Sequence, residues 1–254
     1  MSVEPSWQLA VALVLLTLVA TAASVIAKLH LTKAIWIAVI RAALQLAVVS
    51  LIITAAVQVL WGGSALFVAL MFVVATWTTA KRCEIPIRKR GWVALAMACG
   101  ITPVLLIIFG SGTMPLNGIS LLPTAGIIIG NTMSGHTLMA RRAFAELRAN
   151  IGTYEAGLAI GLQRHEVIPE IIGRVRADAI VPQLDSTRTV GLVTLPGAFI
   201  GVLLGGGSPL QAGAAQLLVL VGILAANFVT VSVTAALIGR AKELPTDLAE
   251  RLRP

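Results

Sequence analysis

The sequence has few of the residues that a water-soluble protein places on its surface. Of its 254 residues only 12% are charged and 57% are hydrophobic, whereas ordinary soluble chains carry roughly 25% charged residues. Such a chain cannot cover itself with polar groups, so most of its length belongs in lipid. The two cysteines, Cys83 and Cys99, indicate neither a disulfide framework nor a thiolate metal cluster.

Sequence motifs for catalysis and nucleotide binding are also missing. No G-x-x-x-x-G-K-[ST] phosphate loop occurs, so the chain has no ATP-binding motif of its own. There is no H-E-x-x-H motif and no aspartate pair, which argues against an intramembrane enzyme. The net charge of +8 would suit nucleic acid in a soluble protein, but membrane proteins collect Lys and Arg in their cytoplasmic loops. We therefore expect no nucleic-acid partner, no catalytic residue and no cofactor bound by this chain.

Long uncharged stretches are what the sequence does have. Asp, Glu, Lys and Arg are absent from residues 5–27, 42–80, 91–140 and 189–239. A transmembrane helix needs about 20 apolar residues, so the first stretch holds one helix and each of the others holds two, joined at a turn rich in Gly or Pro. The expected turns are residues 61–64, 110–118 and 205–209. The predicted helices are residues 7–27, 35–59, 64–80, 92–109, 120–140, 189–204 and 210–238.

The pattern predicts an all-α integral membrane protein with seven transmembrane helices. Threading them alternately puts four segments on one side of the membrane, namely residues 28–34, 81–90, 141–188 and 240–254. These segments contain every Lys and Arg of the chain except Arg41, so the positive-inside rule makes that side cytoplasmic. The amino terminus then lies outside and the carboxyl terminus in the cytoplasm of a bacterial inner membrane. We expect residues 1–254 to form a single transmembrane domain, whose first helix follows Glu4 rather than a positive segment and is an uncleaved span.

The largest soluble segment, residues 141–188, is the candidate for interaction with other proteins. Residues 141–148 continue the fifth helix, and residues 155–179 have an amphipathic pattern. Tyr154–Gly161 predicts a short helix with Glu155 near its amino end, where the helix dipole stabilises a carboxylate. Its small residues, which allow close approach by another surface, are Ala156, Gly157, Ala159 and Gly161. The alternative is an ordinary amphipathic helix lying against the membrane.

Two stretches of this loop resemble known permeases. Glu155-Ala156-Gly157 followed by Gly161 is similar to the EAA-xxx-G coupling motif of ABC transporter permeases, in which a cytoplasmic helix docks into a groove on the ATPase subunit. Residues 180–198 resemble the signature of the FetB (YbbM) family of iron-export permeases, which plant aluminium-tolerance permeases also resemble. The seven-helix layout and Gly130-Asn131-Thr132-Met133 agree with that family.

The resemblance implies the permease subunit of an ATP-driven ABC exporter of iron or another metal. Two copies of this chain would work with two copies of a separate ATP-binding subunit, which would hold ATP and magnesium. The residues implied in coupling to the ATPase are Glu155, Ala156, Gly157 and Gly161. The residues expected to transmit the movement of the loop to the sixth helix are Pro182, Asp185, Ser186 and Arg188.

The sixth predicted helix has a Pro196 kink followed by Gly197, Gly201 and Gly205. Glycines at this spacing let helix backbones approach closely. We interpret the four residues as a hinge or a contact between two copies. The alternative is plain tight packing within one subunit.

Polar side chains within the spans are the candidates for the substrate pathway. They are Arg41, Gln45, Asn131, His136, Asn227 and Thr230. Arg41 also fits an interfacial anchor, and buried amides also join neighbouring helices. No Asp or Glu lies in a span, so the sequence identifies no metal ligands and argues against an ion-coupled secondary transporter. Such a transporter and a non-transporting membrane scaffold are the alternative functions.

Overall fold

In the computed structural model, residues 6–58 and 62–253 are described, and every named element within them is a helix. Residues 59–61, which include the first residue of the expected turn 61–64, lie outside that part. The helices are α1 (Trp7–Ile26), α2 (Thr32–Gln58), α3 (Gly62–Arg82), α4 (Arg90–Gly110), α5 (Gly118–Ala149), α6 (Ile151–Ala159), α7 (Arg164–Ile171), α8 (Gly173–Asp178), α9 (Val181–Thr189), α10 (Gly197–Leu204), α11 (Pro209–Gly239) and α12 (Thr246–Arg251).

Five helical stretches in the described residues are long and apolar enough to cross a membrane. They are Trp7–Ile26, Thr32–Ser50, Gly63–Arg82, Ile87–Gly110 and Pro209–Gly239. α5 has 32 residues but carries the polar residues Asn131, Ser134 and His136 in its interior. The prediction of an all-helical membrane protein with several spans is therefore confirmed. α5 also confirms that the fifth predicted helix continues beyond residue 140.

The sixth predicted span is wrong as a continuous helix. α9 ends at Thr189, the chain turns through Gly191 at a φ of 86°, and α10 has only eight residues. Pro196 lies immediately before α10, because proline lacks an N–H and disfavours helical geometry in the residue before it. The Phe199 N–H at the start of α10 donates to Gln216 Oε1 of α11 at 3.2 Å. This bond ties the first turn of α10 to α11, in addition to the bond of the same N–H to the Pro196 carbonyl at 3.1 Å.

The chain divides into two units, residues 1–60 and residues 61–254. In the first unit α1 packs against α2. Between them Lys28 adopts a φ of 52°, and the Leu31 N–H donates to Ser24 Oγ at 3.3 Å. The turn is thus closed by local bonds within the hairpin.

The second unit is built on contacts of α11 with α4 and α5, and of α5 with α3. Two glycines lie where helices approach closely. A Cβ at Gly100 of α4 would collide with the hydroxyl of Thr230, and one at Gly135 of α5 would collide with the side-chain amide of Asn227. Small residues therefore set the spacing of the bundle, as is usual where helices pack in membranes.

The loop helices α6–α9 fold against the ends of α5 and α11. Asn150 is both the last cap of α5 and the first cap of α6, so the two helices are joined by a single residue. The buried Tyr154 hydroxyl donates to the Arg253 carbonyl at 3.1 Å. α7 packs on the end of α11, where Gly239 leaves room for the Pro169 ring.

Candidate functional site

A fully buried pair of ionisable side chains lies between α5 and the segment after α11. His136 Nε2 is 2.6 Å from Glu243 Oε1, and both side chains are 0% exposed. Despite this approach, no ring nitrogen of His136 and no carboxylate oxygen of Glu243 has hydrogen-bond geometry to a partner in the described part of the chain. Burying such groups has a high desolvation cost, and an ionisable pair next to membrane spans is a functional candidate for that reason.

A reversal of the chain after α11 brings Glu243 to His136. Ala241 adopts a φ of 56°, and its N–H donates to the Ile238 carbonyl at 2.8 Å. Lys242 N–H donates to the Leu237 carbonyl at 2.9 Å. Because of this tight turn, the carboxylate points back into the bundle instead of following the helix axis outwards.

Uncharged polar groups on α11 extend the buried region. Asn227, Thr230 and Thr234 are buried and lie on one face of the helix by their spacing. The Asn227 amide donates to the Ile223 carbonyl of its own helix at 3.1 Å. The hydroxyls of Thr230 and Thr234 have no hydrogen-bond partner among the described residues. We call His136, Glu243, Asn227, Thr230 and Thr234 the polar seam.

Cys83, just after α3, lies close to the polar seam. Burial raises the pKa of its thiol to about 12, and the charge of Glu243 acts in the same direction. The thiol therefore stays protonated at neutral pH and is a poor metal ligand. No three His, Cys, Asp or Glu side chains converge to hold a metal ion anywhere in residues 6–58 and 62–253.

α6 carries the residues predicted to contact an ATPase. It begins at Ile151, earlier than predicted. The Asn150 side-chain amide donates to Glu146 Oε1 of α5 at 3.0 Å, and α6 follows directly after Asn150. The prediction that Glu155 lies near the amino end of its helix is therefore wrong, since it lies in the interior of α6. Glu155 and Ala156 are both exposed.

The two glycines of the predicted coupling motif have structural roles within the chain. A Cβ at the buried Gly157 would lie 2.8 Å from Val167 Cγ2 of α7. Gly161 follows α6 with a φ of 92°, a conformation that favours glycine. Gly157 thus allows α7 to pack on α6, and Gly161 reverses the chain between the two helices.

The residues predicted to transmit movement to the sixth helix lie on α9. All four are exposed, namely Pro182, Asp185, Ser186 and Arg188. Arg188 Nη1 is 3.5 Å from Asp185 Oδ1 within the same helix. An exposed ion pair of this kind contributes little to stability.

The predicted hinge residues surround α10. Pro196 precedes the helix, and a Cβ at Gly197 or Gly201 would meet no atom within 4 Å. A Cβ at Gly205 would meet only carbonyl oxygens of α10 itself, at 3.3 Å or more. Among the described residues of the second unit, therefore, no neighbouring helix uses the space that these glycines provide.

The six pathway candidates fall into different places. His136, Asn227 and Thr230 belong to the polar seam, where Asn227 packs on Gly135 beside His136. Asn131 is half-buried and donates to the carbonyl four residues earlier in its own helix at 2.8 Å. Arg41 and Gln45 are exposed side chains of α2, in the first unit. Glu243 was not predicted, because it lies outside every uncharged stretch.

Comparison with known proteins identifies the family. Residues 6–242 match the family described as "Uncharacterised protein family (UPF0014)". The chain belongs to the UPF0014 family. A UPF0014 relative in Bacillus subtilis (strain 168), the UPF0014 membrane protein YjkA, is 30% identical over 209 residues, which cover 80% of the chain and 82% of YjkA.

Two further relatives of this UPF0014 chain have descriptive names. The probable iron export permease protein FetB of Escherichia coli (strain K12) is 28% identical over 195 residues, covering 76% of the chain and 74% of FetB. Protein ALUMINUM SENSITIVE 3 of Arabidopsis thaliana is 27% identical over 150 residues, covering 59% of the chain. The chain spans 55% of that plant relative's length. No solved structure is a significant match.

Proposed function

We propose that the chain is the membrane-spanning permease subunit of an ATP-driven exporter and that α6 contacts the ATPase subunit. The observation that carries the proposal is the way α6 is held. Its buried Tyr154 and Gly157 fix it to the rest of the unit, while Glu155, Ala156 and Ala159 are exposed. A short anchored helix with a small, charged outer face suits a rigid contact with a second protein.

Movement of α6 has two direct routes to the polar seam. Asn150 connects α6 to α5, which carries His136. α7, packed on α6, touches the end of α11 at Gly239. We propose that both routes act alongside the route through α9 that the sequence predicts, so that ATPase movement separates or closes the helices that bear the seam.

In the proposed topology the chain crosses a bacterial plasma membrane seven times, with the amino terminus outside and the loop helices in the cytoplasm. α5 provides the fifth crossing. Residues 190–204, in which an irregular segment leads to α10 packed on α11, provide a broken sixth crossing. The position of the Lys and Arg residues supports this orientation, and backbone breaks at membrane depth are tolerated where they pack on protein.

We propose a metal cation as the cargo, by analogy with the printed name of FetB. The seam offers an imidazole, a carboxylate, an amide and hydroxyls, which suit transient passage of a cation. Two copies of this chain would pair with two copies of an ATP-binding subunit, which would hold ATP and magnesium. The chain itself carries no phosphate-binding loop.

Reversal of one charge on α6 tests the proposal. The tagged chain is purified from its native membrane in mild detergent, and vanadate-sensitive ATPase activity is measured with and without iron. We expect iron to stimulate ATPase activity that co-purifies with the normal chain, and Glu155→Lys to abolish that stimulation. Glu250→Lys, the same change at an exposed position of α12, is the control and should behave like the normal chain. Absence of associated ATPase in several detergents would refute the permease assignment.

The His136–Glu243 pair also supports a second candidate function, ion-coupled transport. A buried carboxylate beside membrane spans is typical of proton relays, and the sequence alone had argued against one. Proton uptake by ATP-free liposomes that contain only this chain, lost in Glu243→Gln, would favour that function. If liposomes that contain the chain take up no protons, ion-coupled transport is excluded.

A further inference from the structure

A cavity of about 590 Å³ opens where α6, α7 and α11 meet. Its lining residues are Leu158, Leu162, Gln163, Arg164, His165 and Arg240. Arg240 directly follows α11, which is one of the candidate membrane spans. The cavity therefore lies at a membrane boundary, whichever side of the membrane that boundary faces.

The cavity carries positive charge, and the Glu166 carboxylate beside its wall accepts the Gln163 N–H at 2.7 Å without forming an ion pair with either arginine. Arg164 and Arg240 line the cavity, and neither forms an ion pair within the described residues. Arg164 Nε is buried and has no hydrogen-bond partner there. Lys89 lies near enough to Arg164 for the two charges to repel. A buried, unsatisfied guanidinium donor is costly, and an anion in the cavity would satisfy it.

The rest of the wall is mixed, because Leu158 and Leu162 are apolar whereas Gln163 and His165 are polar. Leu158 is four residues after the buried Tyr154 and so lies on the same side of α6. Glu155, Ala156 and Ala159 form the exposed side of that helix. Because Arg240 of the same wall directly follows the α11 span, the cavity borders the depth at which lipid headgroups lie.

From this combination we infer that the cavity binds the phosphate headgroup of an anionic phospholipid. The two guanidinium groups hold the phosphate, since arginine forms bidentate bonds to phosphate oxygens. Leu158 and Leu162 contact the first part of an acyl chain. Basic pockets at the ends of membrane helices bind anionic lipid headgroups in this way. The inference rests on the cavity and the α11 span, and not on the transport proposal.

Native mass spectrometry of the purified chain in detergent tests the inference directly. Short-chain phosphatidylglycerol and short-chain phosphatidylcholine are titrated separately, and inorganic phosphate is added as a competitor. The double variant Arg164→Gln/Arg240→Gln should bind phosphatidylglycerol about 30-fold more weakly. The control Arg174→Gln/Arg251→Gln, which removes the same charge from exposed positions, should bind it like the normal chain.

Three results would overturn the inference. The first is that the double variant binds phosphatidylglycerol as tightly as the normal chain does. The second is that the normal chain binds phosphatidylcholine as tightly as phosphatidylglycerol. The third is that inorganic phosphate displaces the lipid at the same concentration, which would indicate a free phosphate site. Loss of ATPase association in the double variant with lipid binding intact would assign the cavity to a protein partner instead. Should the double variant not fold, Leu162→Glu repels the headgroup without removing a cation, and it should weaken phosphatidylglycerol binding while leaving phosphatidylcholine unaffected.

Discussion

The glycines near the polar seam and the glycines in the α9–α10 segment differ in what lies beside them. In the seam region, Gly100 and Gly135 lie where atoms of another helix fill the space beside the backbone. In α10, Gly197 and Gly201 have no such neighbour, and neither α9 nor α10 contributes a fully buried residue. The seam is thus complete within one chain. The α9–α10 segment presents a glycine face and exposed apolar side chains such as Leu192 and Leu204.

The largest expected effect comes from removing one member of the buried His136–Glu243 pair. Glu243→Ala leaves His136 buried without its partner, so we expect a loss of about 3–5 kcal/mol in the free energy of unfolding. Denaturant unfolding of the purified chain, followed by tryptophan fluorescence, measures it. Glu250→Ala, at an exposed position, is the control and should change little. The double variant His136→Leu/Glu243→Leu should recover much of the loss. Equal stability of the two alanine variants would show that the pair does not hold the seam together.

A matched pair of glycine substitutions on α5 tests how closely the helices approach. Gly135→Ala puts a Cβ against the Asn227 amide, and overpacking of this kind should cost about 1–3 kcal/mol. Gly130→Ala has open space and should stabilise the helix by up to about 1 kcal/mol, since alanine favours helix more than glycine does. Thermal unfolding of both variants measures the difference. The same shift in both would contradict the close contact of α5 with α11.

A substitution in α10 sharpens the comparison from the other side. Gly201→Leu meets open space, so the unfolding free energy of a single chain should change by no more than about 0.5 kcal/mol. If a second copy packs on this face, the variant should lose self-association. Light scattering of the detergent-solubilised chain, with Gly130→Leu as the comparison, measures that loss. A large loss of single-chain stability would mean that α10 is packed within the chain after all.

A small effect that depends on pH is expected at an exposed ion pair outside the seam. Arg148 Nε donates to Asp247 Oδ2 at 2.7 Å, and this bond lowers the pKa of the Asp247 carboxyl. The pair therefore stabilises the fold above the ordinary pKa of the carboxyl, and its contribution disappears as the pH falls through the lowered value. Because both side chains are largely exposed, we expect Asp247→Asn to cost about 0.2–1 kcal/mol near neutral pH. Unfolding measured from about pH 7 to about pH 3 should show the cost vanish in acid. If Asp247→Asn cost the same free energy of unfolding at every pH, the cost would come from packing and not from the charge of the carboxylate.

Most helix positions could be predicted from the sequence because long apolar runs identify spans directly. α1, α3, α4 and α11 begin within a few residues of their predicted starts. The sixth span could not be predicted correctly, since residues 189–204 are uncharged whether or not they form one helix. There the helix ends at Thr189, and Pro196 precedes the start of α10 instead of kinking one continuous helix. Hydropathy indicates whether a segment lies in lipid or in water, but it does not give the geometry of the backbone.

The candidate site was half predictable for a similar reason. His136 stands out as the only imidazole in a predicted span. Its partner Glu243 gives no signal, because the reversal that buries it is made by Ala241 with a φ of 56°. Turns of that kind are usually marked by Gly or Asn. An alanine in this conformation is imposed by the surrounding packing, which single-sequence reasoning does not include.

The order in which a ribosome makes the chain has a consequence for the His136–Glu243 pair. α5 emerges long before the residues after α11, and synthesis proceeds at about 5–20 residues per second. For several seconds, on the order of 5–20 s by that rate, the imidazole exists without its carboxylate. The pair can therefore form only after α11 and the reversal at Ala241 have been made, so it closes the second unit late and cannot guide the first contacts of α5.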